Sequence, residues 1–157
     1  MQSFLWKLCK NVLPTQDNLV RRKIYSSCGC AICEDGQETT MHVLKDCLYA
    51  KKVWACCGWK VPGLELSWEN PIDWVWLIWY KNGDDGLMRF TSMAWNMWNV
   101  RNSGIFRGVV KMSTVLCRDA ERYKQEYAAA HILLGSPPKH GPRRSICWKP
   151  PEWGLTG

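Results

Sequence analysis

The segment from Cys30 to Cys47, CAICEDGQETTMHVLKDC, constrains this chain more than any other. Cys30 and Cys33 form a C-x2-C pair. A turn-like EDG follows, then His42, and Cys47 stands five positions after it. Zinc takes four thiolate or imidazole ligands in a tetrahedron, with sulfur at about 2.3 Å. A tight C-x2-C turn lets both sulfurs face one ion. The eight residues between Cys33 and His42 are enough for a turn and the start of a helix, and Cys47 falls where that helix ends and can bend back. The alternative is four unrelated residues in a Cys-rich chain. Cys28, two positions before Cys30, is a second choice for the first ligand; the better-known C-x2-C geometry favours Cys30. With no carboxylate in the set and no open position evident, the predicted zinc site is structural and closed. Its binding energy would then be folding energy for a small lobe.

The remaining cysteines argue about the compartment. Nine is an odd number, and the start of the chain, MQSFLWKLCK, lacks the long apolar core and small-residue cleavage site of a signal peptide. Nor does any stretch approach the roughly 20 apolar residues of a membrane span. The expectation is an intracellular protein, nuclear or cytoplasmic, in which clustered cysteines mean metal rather than disulfides. Cys9, Cys56, Cys57, Cys117 and Cys147 read as small buried residues or spare thiols. A length of 157 residues suits one ordinary domain or two very small ones.

Along the chain the apolar spacing is helical. Residues 2–12 place Phe4, Leu5, Leu8 and Val12 on one stripe before Pro14. Thr15 is a natural N-cap for a second short helix that ends in Arg21, Arg22 and Lys23. After the Cys-rich turn, residues 38–45 read as a helix carrying His42. Residues 48–57 read as another, with Leu48, Lys51 and Trp54 on one side. The composition shifts near VPG at 61–63 into a Trp-rich run, LSWENPIDWVWLIWY. NGDDG at 82–86 is a turn. Residues 87–103 form a helix that buries Phe90, Ala94, Met97 and Trp98. Ser113 caps a longer helix to about Leu134, which Gly135 stops. The rest, SPPKHGPRRSICWKPPEWGLTG, is an extended Pro-rich and basic linker. The predicted fold class is mainly α. A small helical zinc-binding lobe at 2–60 leads to a Trp-rich helical segment at 61–134 and a tail at 135–157.

The zinc region also resembles a known family. FLWKL at 4–8, VLPTQDNLVRR at 12–22, CAIC, ETTMHVLKDC and AKKVW at 50–54 are similar to the zinc-binding domain of plant reverse-transcriptase-like proteins, which derive from non-LTR (LINE-type) retrotransposons. The family pattern has F-x-W-R/K-L, N-x-L-P-T-x-x-N-L, C-x-x-C, E-x-x-x-H, a cysteine five residues on, and a final V-W. The resemblance continues less completely into AWNMWNVRNSGIFRG at 94–108 and CWKPPEWG at 147–154, the latter similar to the lead-in to a ribonuclease H-like domain. In that family the zinc domain starts several dozen residues earlier, and the position of Leu48 is often proline. The chain thus reads as a fragment of a mobile-element polyprotein. The resemblance implies a zinc module that helps hold template RNA or target DNA near a polymerase.

No catalytic constellation accompanies the zinc motif. Asp84 and Asp85 lie in a turn without the strand context of a polymerase metal pair, and His131 and His140 have no obvious partners. The expectation is a chain with no enzymatic activity of its own. A net charge of +7 favours an acidic partner, nucleic acid above all, though a basic protein without such a partner fits equally. The candidate phosphate contacts are Lys7, Lys10, Arg21, Arg22, Lys23, Lys51 and Lys52; the plain alternative is a solvated face. Trp74, Trp76 and Trp79 could stack bases beside such a face, but helical spacing favours a tryptophan core. The competing functional readings are a zinc-stabilised protein-interaction scaffold, or a remnant with no selected function.

Overall fold

The computed structural model describes residues 2–118 and residue 122. The expected tail at 135–157 and the helix beyond 118 lie outside the described residues. The regular secondary structure of the described residues is helical, apart from one isolated bridge. Helix α1 spans Gln2–Cys9, α2 Gln16–Arg21, a π-helical turn His42–Asp46, α3 Leu48–Cys56 and α4 Pro71–Arg107. Residues 113–118 are helical as well.

Helix α1 buries Phe4 and Leu8, four positions apart, and Phe4 packs edge-on against Trp95 of α4 at 5.3 Å. Asn11 ends the helix at a positive φ of 51°, as a left-handed C-terminal residue does. Asn18, buried, fixes the next turn by donating from Nδ2 to the carbonyls of Asn11 at 3.1 Å and Leu13 at 2.8 Å. Thr15 stands at the N-cap of α2, but its hydroxyl makes no cap bond. Glu38 does that work instead: its Oε1 accepts from the Gln16 backbone N–H at 2.9 Å.

In α3 the inward face is Ala50, Val53 and Trp54. The expected grouping of Leu48 with Trp54 is overturned, because Leu48 is exposed. Positions six apart on an α-helix point about 120° away from an inward direction shared by neighbours three and four apart. Trp54 anchors the helix by donating from its indole N–H to the Leu44 carbonyl at 2.7 Å.

Helix α4 is two helices meeting at Gly83, whose φ of 64° and ψ of −161° leave the helical region. Trp74 and Phe90 show that the chain folds back there. Their rings are 4.9 Å apart, whereas 16 residues of straight helix would separate them by about 24 Å. The NGDDG turn therefore closes a helical hairpin with far less irregular backbone than expected, and helix resumes directly after Gly83. Trp54 stacks on Phe90 at 5.9 Å and meets Trp74 edge-on at 6.3 Å. These three rings join α3 to both arms of α4 and form the centre of the core. Phe90, Ala94, Met97 and Trp98 are all buried, as their spacing predicts.

Candidate metal centre

The loop between α2 and the π turn is shaped by backbone bonds. Gly29 and Gln37 form an isolated antiparallel bridge. The Cys30 N–H donates to the Gly36 carbonyl at 3.1 Å, and the Glu34 N–H donates to the Cys30 carbonyl at 2.9 Å. This closes a tight knuckle around Cys30 and Cys33. His42 and Cys47 come from the other side. On an α-helix residues five apart point about 140° away from each other. Here the Cys47 N–H donates to the His42 carbonyl at 2.8 Å, the i→i+5 bond of a π turn. That wider turn brings His42 and Cys47 back toward one side. The helix expected at 38–45 is present but starts later: the chain is extended to Thr39, helical at 40–41 and π-helical over His42–Asp46.

The result is one group: the ligand atoms of Cys30, Cys33, His42 and Cys47 all lie within 4.8 Å of one another. Cys33 Sγ is 3.3 Å from His42 Nε2. Ligands of a tetrahedral zinc site with sulfur at about 2.3 Å stand ~3.8 Å apart, so the group is close to what the ion requires. Cys30 and Cys47 are buried, and Cys33 and His42 half-buried. Cys28 lies outside the group; its carbonyl instead accepts from the Glu38 N–H at 2.6 Å.

The thiols are electrostatically coupled. Cys30 is pushed up to about 12, first by its hydrogen bond with Cys47 and then by burial. Cys47 is lowered, first by the same contact with Cys30, and further by the backbone N–H groups of Tyr49 and Ala50 at the start of α3. The contact between them raises the one and lowers the other, so Cys30 holds its proton more tightly than Cys47. A bound divalent cation would displace that proton and use both sulfurs as thiolates. Three thiolates and an imidazole, with no carboxylate, suit a structural ion held without an open position.

A feature that spacing did not reveal holds the knuckle to the rest of the protein. Glu38 is fully buried and forms an ion pair with the buried Arg101 of α4. Arg101 Nε donates to Glu38 Oε1 at 3.1 Å, the same oxygen that caps α2. Arg101 also lies over the Trp98 ring at 4.8 Å and donates to Asn102 Oδ1 at 3.0 Å. One turn further on, Gly104 receives Ile32 from inside the C-A-I-C knuckle. A Cβ on Gly104 would stand 2.8 Å from Ile32 Cδ1. Glu38 stands in the E-x-x-x-H stretch and Arg101 in AWNMWNVRNSGIFRG, but a 63-residue separation gives no sequence signal that they touch.

All seven candidate phosphate-contacting residues are exposed. Lys7 is on α1, with Lys10 just past its end. Arg21 ends α2, Arg22 and Lys23 follow it, and Lys51 and Lys52 lie on α3. Arg21 is engaged locally, 3.8 Å from Asp17 Oδ1 and hydrogen-bonded to Asn18 Oδ1. The tryptophans divide. Trp74 is in the core, whereas Trp76 and Trp79 are exposed. Among the described residues no helix is long and apolar enough to cross a membrane.

Comparisons agree with the geometry. Residues 1–54 match the family described as zinc-binding in reverse transcriptase. The chain is 24% identical, over 146 residues, to a protein of Arabidopsis thaliana that carries the name of a ribonuclease H protein. The match covers 86% of this chain but 23% of that relative, so the chain spans about a quarter of the relative's length. No solved structure matches the chain. The Cys-Cys-His-Cys group falls inside the matched region, which makes zinc its metal. Residues 1–54 are thus similar to the zinc-binding domain of reverse transcriptases, and the chain as a whole bears a more distant likeness to that Arabidopsis protein.

Proposed function

We propose that this chain is a nucleic-acid-associated module without catalytic activity, in which Cys30, Cys33, His42 and Cys47 hold one structural zinc. The ion fixes the knuckle, and the knuckle fixes α1, α2 and the start of α3. Lys7, Lys10, Arg21, Arg22, Lys23, Lys51 and Lys52 then contact phosphates, giving salt-dependent binding with little sequence preference. The module proper is residues 2–60, and the segments 61–134 and 135–157 follow it. The observation that carries the reading is the four-ligand group inside the matched domain. The exposure of all seven cations supports the phosphate contacts.

The test is binding of single-stranded and duplex RNA and DNA as salt is varied. We expect log affinity to fall linearly with log salt. Replacing Arg22 and Lys23 by alanine should reduce the slope by about 1 per residue while the zinc content is unchanged. Binding that ignores both salt and these substitutions sinks the nucleic-acid reading. It would leave the second one, a zinc-stabilised scaffold for protein, which the exposed aromatic residues of α4 favour.

A further inference from the structure

The first arm of α4 carries an exposed aromatic ladder that the zinc module does not use. Ile72, Trp76, Trp79 and Tyr80 are 48%, 57%, 45% and 64% exposed. Their spacing of four, seven and eight puts them on one helical face, opposite the buried Trp74 and Ile78. Trp76 and Tyr80 are stacked, with centroids 5.1 Å apart and planes 8° from parallel. The indole N–H of Trp79 donates to Asp84 Oδ1 at 2.9 Å. Single exposed apolar residues are ordinary, but four on one stripe, three of them aromatic, mark a binding surface.

The charge around the ladder selects the partner. Residues 61–88 hold Glu65, Glu69, Asp73, Asp84 and Asp85 against one cation, Lys81, a net −4 in a chain of +7. Lys81 itself lies toward the Tyr80 ring, 5.9 Å from its centroid. Such a surface repels phosphate, so base stacking is not what these rings serve. Aromatic faces with an acidic surround suit proline-rich, basic peptide, whose extended form loses little entropy on docking. The chain contains such a segment. SPPKHGPRRSICWKPP, residues 136–151, has five prolines and four Lys or Arg with no acidic residue. The 18 residues from Arg118 to Ser136 reach up to about 60 Å when extended and ~27 Å as helix.

We propose that the aromatic ladder of α4 is a docking surface for the proline-rich basic segment 136–151 of this same protein. Prolines lie on the Trp76 and Tyr80 rings, and Arg143 and Arg144 meet Asp73, Asp84 and Asp85. The proposal does not depend on nucleic-acid binding by the zinc lobe.

The test uses the full, zinc-loaded chain with Ile72→p-benzoyl-phenylalanine, a photoreactive group at the edge of the ladder. After irradiation the cross-linked peptides are mapped by mass spectrometry, with a single-stranded oligonucleotide present. The expected partner is residues 136–151. Cross-linking should fall at least fivefold in a R143E/R144E variant and in high salt. Monomer and dimer bands tell whether the segment comes from the same copy. Cross-links to the oligonucleotide, to another part of the chain or of a second copy, or none at all, overturn the proposal. The same probe at Trp79 repeats the test if the first variant lacks native helicity.

Discussion

The knuckle and the α4 hairpin solve the same problem, holding a small chain in one shape, by different means. The knuckle, Cys28 to Cys47, has only Met41, Val43 and Leu44 as buried large apolar side chains beside its buried cysteines. It relies on four convergent ligands, a few backbone bonds and the buried Glu38. The hairpin places Trp74, Ile78, Phe90, Met97 and Trp98 in the core and relies on area removed from water. A region built on ligands is all-or-none with its metal, whereas one built on aromatic area fails by degrees. The two meet at Arg101 and Gly104, one helical turn apart on α4.

The largest effect should come from metal removal. Structural zinc in small domains contributes about 10–16 kcal/mol of apparent binding energy at neutral pH. Strong chelation, or Cys33→Ser, should therefore unfold residues 28–47 and loosen α2, whose cap is Glu38. The Trp54, Trp74 and Phe90 cluster should keep most of its protection. Hydrogen exchange with and without chelator would show this. Equal loss of protection in both regions would mean that the contrast is false and the chain folds as one unit.

Next come two substitutions that attack the halves separately. Trp74→Ala removes a fully buried indole and should destabilise the protein by about 3–5 kcal/mol, with one zinc per chain still bound. Arg101→Met removes one partner of a buried ion pair and should cost about 3–5 kcal/mol by stranding the Glu38 carboxylate. Restoring neutrality with Glu38→Gln in the Arg101→Met background should recover part of that loss, although Gln caps α2 less well. Urea unfolding of the single and double variants measures the coupling. A double variant as unstable as the sum of the singles would show that Glu38 and Arg101 act independently.

Smaller still is the contact between knuckle and helix. Gly104→Ala puts a methyl group 2.8 Å from Ile32 Cδ1 and 3.2 Å from Val110 Cγ2. Overpacking of this kind costs about 1–3 kcal/mol, and less where the facing group can rotate. Ile32→Ala should relieve it. If the Gly104→Ala variant is as stable as the parent, the knuckle does not rest on α4 at this point.

The parts of this structure that were legible in the sequence are those set by local spacing. The C-x2-C pair with His42 and Cys47 pointed to one cluster, and the 3–4 spacing of Phe90, Ala94, Met97 and Trp98 gave the buried face. What escaped was set by pairing across distance or by unusual backbone. Thr15 looks like a cap, yet a side chain 23 residues away does the capping. The π turn has no signature in HVLKD, because the need for it lies in where Cys47 must point. Trp74, Trp76 and Trp79 look alike in sequence, and only the fold-back at Gly83 decides which faces inward.

The smallest expected effect tests the boundary of the metal's influence. Cys117 sits against α3, its thiol donating to the Val53 carbonyl at 3.4 Å, outside the Cys-Cys-His-Cys group. Burial, followed by the nearby Cys56 and Cys57, pushes it up to about 11 from an ordinary 9.0. A thiol whose folded pKa is raised contributes stability that is complete below the unfolded value and lost as pH rises through the folded one. With zinc saturating, stability should therefore hold up to about pH 9 and decline toward pH 11. Cys117→Ala should flatten that decline without altering zinc content. An unchanged slope would show that Cys117 does not carry the alkaline loss, and would shift attention to the other groups raised by burial, Cys9 on α1 and Tyr49 on α3.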